Sequence, residues 1–319
     1  WAMSAAIGPV ELGERFEAAR AWHRSLWEAG IATDLIPAKT DPGADLSGYR
    51  LIIVPAIFID YPGLARSLEQ AAAAGAQVVV VGPTGVVDAG AGAVLGGYLG
   101  SLRPLLGVRV TDHAALSGPV EQPDPRGALV NRLSRVVGTP AAETWTGLEA
   151  VAETLHRVLD RMGSPAPDLR AGGWAEEIRV DEAPGDGKTA QGWEPAEVVA
   201  VFDGRGGGAD LAGWSAITRR AVGGAAGAAW YVAADLDALS RAALLRLVCA
   251  HARVRPVVAD LPDGVEAQRR GEVLFLLNHG DRAAEVAGVV GTDLLSGEAC
   301  TGHVVLAPRS ALAVRDNMR

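Results

Sequence analysis

Two short runs constrain this chain more than anything else in it. Tyr49 to Pro55 reads YRLIIVP and Ala76 to Gly82 reads AQVVVVG, and neither shows polar alternation in its aliphatic stretch. A strand with one wet face alternates with period two, so a strand apolar on both faces has to be covered on both. Leu64 to Ala74 lies between the runs with helical spacing, and Gly75 ends it. Strands of this kind joined by single helices form a parallel sheet with helices on either side. The first half of the chain is therefore predicted to be a doubly wound α/β domain. Upstream, Glu14 to Ala29 is amphipathic, with Phe16, Ala19, His23, Leu26 and Trp27 on one face and Gly30 as its stop. Ile31 to Ile36 then alternates like a strand.

At 319 residues the chain exceeds one ordinary core and fits about two domains. Residues Gly82 to Pro140 are rich in Gly and Pro, with short pieces at Leu99 to Leu106 and Val108 to Val110. Ala141 to Met162 has helical spacing, with Thr139 and Pro140 at its start. Trp174 to Asp203 reads as two strands joined by an exposed loop at 185 to 192. Trp214 to Val222 and Ala228 to Ala233 read as further strands, and Asp235 to Arg253 as a strong helix. After Pro256 the pattern changes to short alternating segments: Val265 to Arg269, Val273 to Leu277, Ala284 to Val290, His303 to Leu306 and Ala311 to Val314. Turn signals such as Asn278 to Asp281 separate them. That pattern predicts a small antiparallel β-domain with its boundary near Arg253 to Pro256.

Composition excludes several classes. The chain carries 29 basic and 38 acidic residues, a formal charge of -9, and such an excess of carboxylates repels phosphate backbones and anionic membranes. With 49% apolar residues it is not globally disordered. The longest apolar runs fall short of the ~20 residues that span a bilayer. No basic segment followed by an apolar one opens the sequence, so a cytoplasmic location is expected, although residue 1 is Trp rather than Met. Two cysteines, Cys249 and Cys300, make neither a zinc cage nor a disulfide framework.

Motifs for chemistry are sparse. Gly185-Asp186-Gly187-Lys188-Thr189 resembles the end of a phosphate loop, but the first glycine of that motif falls on Glu182. Gly204 to Gly208 lacks the dinucleotide spacing, because residue 209 is Ala. Gly82-Pro83-Thr84-Gly85 follows a parallel strand, where α/β folds place sites, and Thr84 could offer a hydroxyl there, but no Ser or Cys elbow occupies the turn. The six histidines have no metal-ligand spacing. Glu176-Glu177 and Asp181-Glu182 are adjacent on strands, so each pair points to opposite faces, and a solvated edge is the expected place for them. Eight of the aromatic residues are Trp, half of the total. Each removes ~150–250 Å² from water when buried, so core packing is expected first and an inter-subunit surface second.

Trp22-His23-Arg24-Ser25-Leu26-Trp27-Glu28-Ala29-Gly30 resembles the A-W-x-R-x-L-W-x-A-G-I segment in the middle domain of glycoside hydrolase family 42 β-galactosidases. The similarity continues in order through Leu51 to Pro55, Val78 to Val81, Gly85-Val86-Val87-Asp88, Gly96-Gly97-Tyr98 and Leu105 to Val110. Ala229-Trp230-Tyr231-Val232 is similar to the family's A-W-Y-V strand, and Leu261 to Glu266 with Phe275 to His279 is similar to its C-terminal β-domain. The family reads G-G-Y-P-G where this chain has Leu99 before Gly100, and residues 118 to 173 are longer and more irregular than the family pattern.

The resemblance implies a flavodoxin/glutamine-amidotransferase-like sheet domain over residues 1–253, beginning after its first strand and serving trimerisation. A small C-terminal β-sandwich over 254–319 follows. It implies a retaining β-galactosidase acting on terminal β-D-galactosides, whose two carboxyl groups, ~5–5.5 Å apart, sit in an N-terminal (β/α)₈ barrel of ~250 residues. No catalytic residue, metal ligand or cofactor is therefore expected in this chain, and by itself it is expected to be inactive. The expected partner is its own kind, as a homotrimer, with the β-galactoside bound by the absent barrel and no nucleic acid or membrane. Two alternatives stand beside this: a non-catalytic interaction module binding a barrel subunit in trans, and a divergent amidotransferase-like enzyme with Thr84 as nucleophile.

Overall fold

The computed structural model describes residues 14–38, 44–115, 134–138, 169–182, 193–202, 211–224 and 226–315, which fall into two compact units. The first comprises residues 1–22 and 36–253, and the second comprises 23–35 and 254–319. The expected helix at 141–162, the loop at 185–192, the glycines at 204–208 and the irregular stretch at 118–168 (apart from 134–138) lie outside the described residues.

The first unit is built on β2, Gln77–Val81, which is buried along its whole length. It pairs in parallel with β1, Leu51–Pro55, on one edge and with β8, Ala228–Val232, on the other. Register runs Val78 with Ile52 and Ala229, and Val80 with Val54 and Tyr231. Alternate side chains point to opposite faces. Val78, Val80, Val54, Ala229 and Tyr231 pack with Leu68, Ala71 and Ala72 of helix α2, Pro62–Ala73. On the other face Trp230 meets His251 of the helix Ala238–Ala252, with ring centroids 5.8 Å apart. Two covered faces are what the unbroken valine run requires.

Beyond these three parallel strands, which carry the pattern expected of the first half, the sheet is mixed. Among the described residues its nine strands lie in the order β1-β2-β8-β7-β6-β4-β5-β3, with β9 on β5. The added strands are β3 (Val108–Ala115), β4 (Ser134–Gly138), β5 (Leu169–Val180), β6 (Glu197–Phe202), β7 (Ser215–Ala221) and β9 (Ala234–Leu236). They are paired antiparallel, from β7 on β8 outward. The result is a mixed sheet whose parallel, doubly covered part is confined to one end. Ile31 to Ile36, expected as a strand, forms none: Ile31 donates its N–H to Leu26 at the close of helix α1, Glu14–Glu28, and the segment runs on as irregular chain. Alternation without a hydrogen-bonding neighbour does not make a strand. The expected Asp235 to Arg253 helix starts at Ala238, because Asp237 caps it by accepting the Ser240 N–H at 2.8 Å.

The second unit is one five-stranded antiparallel sheet in the order β10-β11-β14-β12-β13. Its strands are Val265–Arg270, Val273–Asn278, Ala284–Asp293, Ala299–Leu306 and Ala311–Arg315 for β10 to β14. Val265, Leu274, Leu276, Val286, Val289, Leu306 and Val314 form its core. Buried Asn278 locks the adjacent turns, donating to the carbonyls of Arg282 and Ala307 and accepting the Gly280 N–H. The end of α1 belongs to this unit: the Trp27 ring lies 6.1 Å from that of His279, and the His279 Nε2 is 2.9 Å from Glu266.

Close backbone approach sets one sharp requirement in the first unit. Gly227 enters β8 directly against the end of α2, where a Cβ would overlap the Ala72 carbonyl oxygen. That carbonyl and the nearby Gly75 Cα are backbone and cannot swing away. Gly227→Ala is expected to lower stability by about 2–3 kcal/mol, read as a fall in the urea midpoint at unchanged slope.

Candidate functional site

An α/β domain places chemistry beyond the carboxyl ends of its parallel strands. The turn after β2, Gly82 to Gly85, occupies that position. Thr84 is 1% exposed. Its hydroxyl donates to the Val81 carbonyl at 2.6 Å and accepts the Ile57 N–H at 3.1 Å, tying the end of β2 to the chain leaving β1. A hydroxyl committed in both directions and closed off from solvent is a brace, not a nucleophile. Gly85 has φ +62°, and a Cβ there would lie 2.7 Å from the Leu99 backbone, so the turn is sealed by the segment crossing it.

Behind this turn stands a carboxyl that sequence reasoning misplaced. Glu176 was expected on a solvated edge, but β5 is flanked by β3, β4 and β9, and Glu176 is 2% exposed. Tyr231, also buried, donates its hydroxyl to Glu176 Oε2 at 2.5 Å. The two side chains fill the space over Gly82, where any Cβ would overlap Glu176. Glu177 does point the other way, accepting from Thr111 Oγ1 at 2.7 Å. Burial pushes the Glu176 carboxyl up to about 7, outweighing the lowering by the Tyr231 hydroxyl. The Tyr231 phenol is raised well above its ordinary value by the same burial and by the adjacent carboxyl. What places Glu176 is the Tyr231 hydroxyl that reaches it from the A-W-Y-V strand, a contact between distant residues that sequence periodicity does not reveal.

The remaining expected residues do not converge. His113 stacks on Tyr98 at 6.4 Å, His251 lies by Trp230, and His279 pairs with Glu266. Asp181 holds Arg103 in a two-point ion pair at 2.7 and 2.8 Å and Arg109 at 3.1 Å. Among the described residues, no group of three or more His, Cys, Asp or Glu is arranged to hold a metal ion. Cys249 is buried and its thiol is pushed up to about 11, the opposite of an activated nucleophile. Of the six described tryptophans, Trp22, Trp174 and Trp230 are core residues, while Trp27, Trp193 and Trp214 are half-buried. One open groove of about 450 Å³ lies beside the crossing segment, lined by Gly97, Tyr98, Arg109, Thr111, Asp112 and His113.

The Glu176 shift has a definite sign. Its folded-state pKa lies above the ordinary carboxyl value near 4.5, so the native state holds an extra proton between pH 4.5 and about 7. Stability from this group is full below that window, falls as pH rises through it, and is flat above it. The loss amounts to about 3 kcal/mol. Glu176→Gln is expected to remove the slope, gaining on the wild type between pH 5 and pH 8 in urea melts. An equal difference at both pH values would show that Glu176 does not titrate in this window.

Known proteins match along the chain in the same order. A family described as the beta-galactosidase trimerisation domain matches residues 1–146, and the beta-galactosidase C-terminal domain matches residues 264–315. A beta-galactosidase from an Arthrobacter species is 32% identical over 291 residues, 89% of this chain and 32% of that protein. Beta-galactosidase BglY of Alicyclobacillus acidocaldarius is 29% identical over 322 residues, 98% of this chain and 39% of that protein. The chain thus spans between a third and two fifths of the length of the relatives it matches. The crystal structure of beta-galactosidase from Bacillus circulans sp. alkalophilus superposes with TM-score 0.74 at 22% identity, covering 98% of this chain and 39% of that one. A GH42 beta-galactosidase from G. stearothermophilus gives 0.70 at 19%, covering 98% and 38%. Two domain signatures of one enzyme, met in order on the folds they describe, make this chain a member of the glycoside hydrolase family 42 β-galactosidases, spanning their trimerisation and C-terminal domains.

Proposed function

We propose that this chain is the assembly and support portion of a retaining β-galactosidase that hydrolyses terminal β-D-galactosides. In this reading residues 1–253 form an amidotransferase-like trimerisation domain that brings three copies together, and 254–319 a supporting β-domain. The catalytic carboxylates and the galactoside pocket belong to the part of the relatives that the match does not cover. The carrying observation is the sealed turn after β2. The position where this fold offers a nucleophile holds a braced Thr84, backed by the buried Glu176–Tyr231 pair. Each of the two carboxyl side chains buried among the described residues is already engaged, Glu176 by the Tyr231 hydroxyl and Asp293 by the turn it begins, where it accepts from Ser296 and the Leu295 N–H. A retaining site needs two such groups facing one substrate.

The sealed turn also speaks against the amidotransferase-like alternative, which needs an exposed nucleophile. No helix among the described residues is long and apolar enough to cross a membrane. The purified 319-residue chain is expected to show no turnover of nitrophenyl β-galactoside above the uncatalysed rate. Measurable turnover would place a complete galactosidase site within this chain and overturn the reading.

A further inference from the structure

The segment after β2 runs from Asp88 to Tyr98, and residues Ala89 to Leu99 carry no charge at all, in a chain with 21% charged residues. Ala89, Ala91 and Ala93 are exposed, and Leu95 is 90% exposed. The segment is nevertheless held in one shape. Asp88 accepts the N–H groups of Gly90 and Gly92, both at 2.8 Å, and its own N–H donates to the Gly92 carbonyl. Val94 N–H returns to the Val86 carbonyl, and Arg103, itself clamped by Asp181, donates to the Gly96 carbonyl at 2.9 Å. The next most exposed large aliphatic side chains have a charged or polar residue beside them: Leu35 directly follows Asp34, Leu295 lies in the turn of Asp293 and Ser296, and Val305 stands opposite Glu285. Leu95 therefore differs in being a fixed apolar knob within a neutral, small-residue surface. Single exposed leucines are ordinary, but a contiguous neutral surface of this kind marks an interface.

Next to the knob lies the open groove walled by Tyr98, Arg109, Asp112 and His113. A knob and a groove side by side on one surface suit a head-to-tail contact that closes into a ring, because each copy offers both halves of the joint. Two further observations choose a second copy of this chain as the occupant. The match to a trimerisation domain spans residues 1–146, which contain both halves. And with a net charge of -9 copies repel one another overall, a repulsion that a surface without charge of its own lessens where they meet. We propose that Leu95 of one copy seats in the groove of the next, and that this contact joins the copies. The inference rests on the assembly function argued above.

Sedimentation velocity over a dilution series of the 319-residue chain tests it, using wild type, Leu95→Asp, Leu95→Met, Asp112→Arg and Leu295→Asp. Wild type, Leu95→Met and Leu295→Asp are expected to dissociate from trimer at the same concentration. Leu95→Asp, which brings a charge to the knob, and Asp112→Arg, which crowds the groove, are expected to raise that concentration by about tenfold or more. Both side chains lie on the surface, so far-ultraviolet circular dichroism should be unchanged. A wild-type trimer that Leu95→Asp and Asp112→Arg leave unaltered would overturn this surface while the assembly reading stands. A wild-type monomer throughout the series would overturn the assembly reading and this contact with it.

Discussion

Everything in the first unit hangs on the burial of β2. Four consecutive valines, each worth roughly 1.5–3 kcal/mol when fully withdrawn from water, demand cover on two faces and a hydrogen-bonding neighbour on two edges. The demand is met by α2 on one face, the helix Ala238–Ala252 on the other, and β1 and β8 alongside. The polar entry to the strand is as fully satisfied. Gln77 is 0% exposed, yet its Oε1 accepts the Trp230 indole N–H at 2.9 Å and its Nε2 donates to the Ala226 carbonyl at 2.6 Å. An amide at that depth without partners would cost as much as a valine contributes.

The same burial explains why the carboxyl end of β2 does no chemistry. A catalytic turn at this position needs room beyond the strand and a side chain aimed into it. Here Glu176 from β5 and Tyr231 from β8 reach over Gly82, and the Leu99 backbone closes over Gly85. What would be a crevice is packed interior. The two groups with chemical potential, an acid held near neutrality and a threonine hydroxyl, are turned inward to join strands. A fold that elsewhere hosts catalysis is thereby left with its outer loops as the surface on which selection can act, which agrees with a domain whose relatives are described by trimerisation.

How much of this was legible in the sequence depends on the range of the interactions. Strands β1 and β2 and helix α2 were readable because their signal is local: unbroken aliphatic runs, helical spacing, a terminal glycine. The antiparallel pairing of β3, β4, β5 and β6 was not, since much of it is written in contacts between residues far apart along the chain, such as Val110 with Ile178 or Val136 with Phe202. Glu176 was misplaced for the same reason. Its neighbours Glu177 and Arg179 give the segment a surface composition, and only the strands flanking it on both sides bury it. Ile31 to Ile36 failed in the other direction, having the alternation of a strand but no ladder to join. In the second unit the alternation sufficed to find the strands, because its turns announce themselves, as Asn278 to Asp281 does, whereas the seating of β14 between β11 and β12 is again a pairing of distant residues.

The loop from Asp88 to Tyr98 shows a third kind of legibility. Its sequence, AGAGAVLGG, has the composition of a flexible linker, and glycine and alanine alone would leave it without shape. Asp88 removes that freedom by receiving two backbone N–H groups, and Arg103 fixes the far end through a carbonyl while Asp181 fixes Arg103. Three charged side chains thus order a stretch that has none of its own. The charges sit at its margins, satisfied by one another and by backbone, and the exposed face between them remains neutral. That separation gives an acidic protein a stretch of surface without charge of its own: the groups that hold the loop lie at its margins, and the loop presents only small residues and one leucine.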